Sequence, residues 1–113
     1  MSSELQSYKS FIDDVVSIKK DVKSDWILNG SFPNLPESKE TNNVLVDLTE
    51  EQRNAIAALV QNAKESGIHD LLALLNDKAE IEYEGCRLPK EPFGTELNFD
   101  FVARCEGDEW PVK

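Results

Sequence analysis

Hydrophobic residues near the amino terminus recur at steps of three and four. Such a stripe is typical of a helix that lies with one face on a core. Its members are Leu5, Tyr8, Phe11, Ile12, Val15, Ile18 and Val22. Because Ser3 and Gln6 have the spacing of a capping box, the pattern predicts a first helix over about residues 4–24. The spacing also fits a heptad seam that could pair two copies of the chain, although packing within one chain is the simpler interpretation.

Turn-forming residues replace this stripe over residues 29–43. The glycine, serine, prolines and paired asparagines of this segment predict a long internal loop. Phe32 and Leu35 could fold back from it onto the core. Since long loops in compact domains are often functional or mobile, ordered surface packing, a binding loop and disorder all remain open.

A second capping box, formed by Thr49 and Gln52, predicts the start of another helix after the short β-prone segment 44–46. The apolar face that follows consists of Ile56, Leu59, Val60 and Ala63. Gly67 is well placed to end this helix in a left-handed turn. Helical spacing then resumes with Ile68, Leu71, Leu72 and Leu75. The pattern therefore predicts an αα-hairpin.

The carboxyl-terminal third changes to a period of two. Apolar and polar residues alternate from Leu97 to Cys105, which predicts a strand, and a second strand is predicted around Ile81 and Tyr83. Prolines between these segments favour a connecting loop. The expected fold class is α+β, in which the first helix and the αα-hairpin pack on a small carboxyl-terminal antiparallel sheet. Residues 1–113 are expected to form a single domain.

Charge narrows the choice of partners. The chain has 22 acidic and 12 basic residues and a formal net charge of −10. Nucleic acid and anionic membranes are poor partners for such a protein, because binding to phosphates depends on clustered lysine and arginine. Residues 79–113 carry nine acids against four bases, so a basic protein would be attracted there first. No secretory signal or membrane-spanning run is recognisable, and we expect a cytoplasmic location.

Candidate catalytic residues are few. His69 next to Asp70 is the one place where an imidazole adjoins a carboxylate. Neighbouring residues of a helix do not face each other, so capping of the next helix by Asp70 is the simpler interpretation and catalysis the alternative. No nucleophile motif or phosphate-binding glycine loop occurs. The sequence therefore leans against an enzyme and predicts no cofactor.

A metal site is not predicted either. Cys86 and Cys105 lack metal-ligand spacing, and in a reducing cytosol they are expected to be half-buried thiols rather than a disulfide. Glu80, Glu82 and Glu84 would share one face of a strand. A solvated strand face explains these acids better than a cation site does.

The two tryptophans are candidates for recognition. Trp26 and Trp110 each follow an acidic residue and lie outside the predicted helices and strands. Either could close the core, or it could anchor a partner beside the acids Glu106, Asp108 and Glu109. We take these five residues as a tentative protein-binding set.

Three segments carry a resemblance to other proteins. They are residues 48–53 (LTEEQR), 67–72 (GIHDLL) and 104–111 (RCEGDEWP). Together with the aromatic segment before the last of them, they resemble a group of small bacterial proteins of undetermined function, over roughly the last two thirds of the chain. The resemblance implies a compact bacterial cytosolic domain and carries over no functional residues.

The leading hypothesis is a non-enzymatic, acidic interaction module of the inhibitor or immunity type, with a basic protein as partner. One alternative is a small enzyme that uses His69 and Asp70. Another is a structural protein that self-associates through the first helix, so both a monomer and a homodimer remain open.

Overall fold

Helices dominate the computed structural model, which describes residues 3–111. The elements in chain order are α1 (Ser3–Ser17), α2 (Val22–Asn29), a 3₁₀ turn (Pro36–Ser38), α3 (Lys39–Leu45), α4 (Glu50–Lys78), β1 (Glu82–Tyr83), β2 (Cys86–Arg87) and α5 (Leu97–Cys105). The predicted arrangement of three helices on a sheet is therefore wrong. Among the described residues the strands form one two-stranded hairpin in a mostly helical chain.

The chain divides into two compact units. Unit 1 combines the amino-terminal segment up to Lys19 with the segment from Ser66 to the carboxyl terminus, and unit 2 is Lys20–Glu65. Each unit has its own apolar cluster. The buried cluster of unit 1 consists of Tyr8, Ile12, Leu72, Leu88, Leu97 and Phe101. The buried cluster of unit 2 consists of Ile27, Leu45 and Ala57.

The first predicted helix is interrupted. α1 ends at Ser17, and α2 begins at Val22. Asp21 causes the new start, because its extended backbone and its carboxylate, which accepts from the Lys23 amide at 2.9 Å, form an N-cap. Within α1, Tyr8 and Ile12 are buried. The chain's own core thus covers part of the predicted heptad seam.

Residues 29–43 contain more regular structure than their composition indicated. Pro36 starts the 3₁₀ turn, and α3 continues directly from it into segment 44–46, which was predicted to be extended. The side-chain amide of Asn42 ties this region together. It accepts from the Phe32 amide at 2.7 Å and donates to the Phe32 carbonyl at 3.2 Å. A proline at the first helical position is pre-organised for a helical turn, a signal that the abundance of turn residues concealed.

The predicted αα-hairpin is one continuous helix, α4. Its capping box is confirmed, since the Thr49 amide donates to Gln52 Oε1 at 2.9 Å and the Gln52 amide donates to Thr49 Oγ1 at 3.0 Å. Gly67, however, lies in the interior of α4 without a left-handed backbone. A glycine weakens a helix interior but need not end it.

The clearest predicted strand is the helix α5. Leu97 and Phe101 are buried four positions apart, whereas Phe99 between them is 58% exposed. The alternating apolar pattern misled because residues four apart satisfy both the period of a strand and that of a helix. The hairpin pairs Glu82 with Arg87 and Tyr83 with Cys86. The turn residues Glu84 and Gly85 have positive φ angles of 51° and 82°, as the backbone of a type I′ turn requires.

Within residues 3–111, no helix combines the length and the apolar character that crossing a bilayer requires.

Candidate functional site

A buried carboxylate connects α1 and α5 in unit 1. Asp100, on α5, is 6% exposed. It accepts a hydrogen bond from the hydroxyl of Tyr8, on α1, and a second one from the hydroxyl of Thr95, which lies 2.5 Å away. Burial and the bond to Asp100 raise the pKa of the Tyr8 hydroxyl well above its ordinary value. The Tyr8 hydroxyl therefore keeps its proton and donates it to Asp100 at physiological pH.

Aromatic rings surround this carboxylate. Trp110 stacks on Phe93 with ring centroids 5.5 Å apart and an interplanar angle of 27°. Both rings also meet Tyr8 edge to face at 6.2 Å. Such contacts stabilise beyond the area they bury. They hold the half-buried indole against the core, so Trp110 fulfils the core-closing role considered for it.

Arg104 fixes the segment that follows α5. Its Nε and Nη2 donate to the carboxylate of Asp13 at 2.9 and 3.2 Å, and its Nη1 donates to the Asp108 carbonyl at 2.7 Å. The guanidinium also lies 4.8 Å from the centroid of the Trp110 ring. A bidentate pair with a stacked arginine is a rigid arrangement, and it holds residues 108–110 beside α5.

These contacts shape a cleft of about 160 Å³, which we call the Trp110 cleft. Its apolar wall consists of Phe93, Phe99, Ala103, Trp110 and Pro111. Its polar wall consists of Thr95, Asp100, Arg104, Asp108 and Glu109. The volume is below the roughly 300 to 1,000 Å³ of typical small-molecule sites. The cleft therefore suits one inserted side chain better than a cofactor.

The tentative binding set is only partly assembled. Asp108, Glu109 and Trp110 line the Trp110 cleft. Glu106 is exposed and directly follows α5, but it is not part of the wall. Trp26 belongs to unit 2, where it packs edge to face on Phe32 with centroids 5.1 Å apart.

Sequence reasoning missed Asp100, Tyr8 and Thr95. Asp100 was placed on the polar face of a strand, and only the helical period puts it on the buried side with Leu97. The available signal was the position of Asp100, three residues after Leu97 and directly before Phe101. On its own this signal did not separate a buried carboxylate from a surface one.

His69 and Asp70 lie together on the exposed side of α4. The His69 Nδ1 is 3.2 Å from Asp70 Oδ1, with the side chains 41% and 81% exposed. This contact was not expected from neighbours on one helix. On the other side of the ring, His69 Nε2 lies 3.4 Å from the Asn98 side-chain nitrogen. His69 does not line the Trp110 cleft, nor does it line a second cleft of unit 1 that adjoins the end of α4.

That second cleft, of about 260 Å³, adjoins the end of α4. Its main polar groups are used within the chain. Asn76 donates to Glu91 at 3.0 Å and accepts from the Leu97 amide at 3.1 Å, while Lys90 donates to the carbonyls of Asn76 and Ala79. The two lysine bonds satisfy carbonyls at the carboxyl end of α4.

The residues weighed as metal ligands are dispersed. Between residues 3 and 111, no three histidine, cysteine, aspartate or glutamate side chains converge on a point where an ion could be held. Glu80 forms an exposed ion pair with Arg87 at 2.8 Å. Cys86 and Cys105 are both half-buried thiols.

Comparison with known proteins gives one match. Neither the curated proteins nor the solved structures contain a match to the chain. The model of a family of unknown function, DUF6547, matches residues 1–112, and the chain belongs to that family.

Proposed function

We propose that the chain is a non-enzymatic binding protein whose Trp110 cleft takes a basic side chain from a partner protein. One observation carries this proposal: the cleft joins an aromatic wall to three carboxylates, those of Asp100, Asp108 and Glu109. Aromatic faces and carboxylates both attract lysine and arginine. The apolar wall would cover the aliphatic stem, and the acids would meet the charged end.

The one basic residue in the wall does not cancel this attraction. Arg104 is already bound by Asp13, which does not line the cleft. Asp100 keeps acceptor capacity, because an ionised carboxylate has about four lone-pair sites and the two hydroxyls use two of them. A cation in the cleft would thus enter an environment with an excess of negative charge.

The acids that follow α5 are available to a partner, and two of them, Asp108 and Glu109, line the Trp110 cleft. Glu106, Asp108 and Glu109 are exposed. Among residues 3–111, no ion pair involves their side chains. The whole chain has a net charge of −10, which would speed the approach of a basic protein. A role of the inhibitor or immunity type, in the cytoplasm of a bacterium, completes the proposal.

Charge reversal with a matched control tests the proposal. The probe is a lysine-rich peptide, and the variants are Glu106→Lys/Asp108→Lys/Glu109→Lys and, as control, Glu80→Lys/Glu82→Lys/Glu84→Lys. Both triples change the net charge equally, but only the first alters residues that line the Trp110 cleft, namely Asp108 and Glu109. Affinity is measured by calorimetry at low and high salt.

We expect the first triple to weaken binding by about tenfold or more, and the control by less than about threefold. Acetylation of the peptide's lysines should abolish binding to the wild-type protein. Equal weakening by the two triples would show a general attraction between charges and would refute the proposal. Absence of binding to the wild-type protein would refute it as well.

A further inference from the structure

We propose a second binding site, in unit 2, for the apolar face of a cationic amphipathic helix from a partner protein. It goes beyond the function proposed above, because every residue involved lies within Lys20–Glu65 and none belongs to the Trp110 cleft. The site is a groove of about 410 Å³ formed by α2, α3, the start of α4 and the segments between them, which we call the α3 groove. This volume is within the usual range of ligand sites.

The groove has an apolar floor and an open apolar rim. Ile27 and Leu45, both buried, form the floor together with the more exposed Phe32 and Leu48. At the rim, Val44 is 56% exposed although it contacts the groove. An apolar floor beside an exposed valine on a regular helix is a surface on which another apolar face can pack.

Charge defines the occupant. Glu37 and Glu40 line the same groove, and both are exposed. No ion pair within residues 3–111 involves them. Lysine or arginine beside the apolar stripe of a partner would meet these two carboxylates. A second copy of this chain is a poor occupant, because each copy carries a net charge of −10.

Backbone geometry favours a helix over an extended peptide. Lys20–Glu65 contains α2, the 3₁₀ turn, α3 and the first half of α4, and no strand. An extended peptide gains affinity by adding to a sheet edge, and this unit offers none. A helix satisfies its own backbone groups and needs only apolar anchors at steps of three and four.

Two exposed valines allow a matched test. Val44 and Val46 are 56% and 72% exposed, but only Val44 lines the groove. The variants are therefore Val44→Glu and, as control, Val46→Glu, which add the same charge two positions apart in the sequence. The probe is a synthetic helix of about four turns with leucines on one face and lysines on the other. Calorimetry gives the affinity, and circular dichroism verifies that each variant is folded.

We expect Val44→Glu to weaken binding by about tenfold or more and Val46→Glu to change it by less than about twofold. Glu37→Lys/Glu40→Lys provides a second, independent variant and should also weaken binding. Equal effects of the two valine variants, or no binding at all, would overturn the proposal. Groove-dependent dimers in light scattering would identify a second copy as the occupant and overturn it too.

The same probe separates the two sites. The triple reversal at Glu106, Asp108 and Glu109 should weaken its binding by less than about threefold, no more than the triple at Glu80, Glu82 and Glu84 does. Loss of binding in that triple would place the peptide at the Trp110 cleft and contradict the α3 groove. If the lysine-rich peptide does not bind the Trp110 cleft, the proposal for the α3 groove is unaffected.

Discussion

Tyr8 donates its hydroxyl hydrogen to the carboxylate of Asp100, 92 positions away along the chain. The bond joins α1 to α5 inside unit 1, where both side chains are buried. Asp100 also lines the Trp110 cleft. One hydrogen bond thus contributes to the core of unit 1 and also holds a carboxylate in the polar wall of the Trp110 cleft.

Removal of this donor should destabilise the protein. Tyr8→Phe leaves the buried carboxylate with one side-chain donor fewer, and a hydrogen bond to a charged group contributes about 1.5 to 3 kcal/mol. We expect the free energy of unfolding to fall by about that amount in urea denaturation. Tyr83→Phe is the control, because the Tyr83 hydroxyl bonds to Asp14 at the surface. If the free energy of unfolding falls equally in the two variants, the buried hydrogen bond stabilises the protein no more than the surface bond does.

Stability should decrease in alkali. Burial and Asp100 raise the pKa of Tyr8, and the hydrogen bond to Asp14 raises the pKa of Tyr83 to about 12. Above about pH 10 the unfolded chain loses these protons before the folded chain does. The unfolded state then binds fewer protons, so the free energy of unfolding falls as pH rises.

An absorbance titration of tyrosine checks this prediction, because the chain has two tyrosines. In the native protein neither should ionise near pH 10, whereas both should do so in denaturant. The alkaline decrease in stability should be smaller in Tyr8→Phe. Ordinary titration of both tyrosines in the folded protein would contradict the assignment.

Gly67→Ala should stabilise the protein. Gly67 lies within α4, and a Cβ added there would meet nothing within 4 Å. Replacement of a glycine by alanine in a helix interior is worth about 0.5 to 1 kcal/mol. Gly30→Ala is the contrast and should destabilise, because Gly30 ends α2 with φ at +92°. A loss of stability in Gly67→Ala would indicate that the chain turns at this glycine after all.

Thr49→Ala should weaken the start of α4. The substitution removes the hydroxyl that accepts from the Gln52 amide, and loss of such a cap costs about 1 kcal/mol. Thr49→Ser keeps the acceptor and should retain most of the stability. Chemical denaturation of both variants gives the comparison. An alanine variant as stable as the serine variant would mean that the capping box adds nothing to folding.

The sequence was informative where one pattern had one structural solution. The Thr49–Gln52 box defined the start of α4, and the stripe through Tyr8 and Ile12 defined the buried face of α1. The resemblance to proteins of undetermined function is confirmed at the level of the family.

The sequence was misleading where two different structures share one pattern. Leu97 and Phe101 fit both a strand and a helix, and the choice of a strand put Asp100 on the wrong side. Gly67 could equally end a helix or interrupt its apolar face. The candidate site also combines residues that the sequence indicated with residues that it did not. Charge and aromatic character singled out Asp108, Glu109 and Trp110, which line the cleft. Tyr8 and Thr95 reach Asp100 only through tertiary contacts that no local pattern encodes.

Fluorescence of Trp110 tests the central claim most directly. Trp26→Phe removes the other indole, which lies in unit 2, so the remaining emission reports on the wall of the Trp110 cleft. We predict that the lysine-rich peptide shifts or quenches this emission, and that Asp108→Lys/Glu109→Lys in the same background abolishes the change. An unchanged Trp110 spectrum while calorimetry shows the peptide to be bound would place the partner elsewhere and contradict the account.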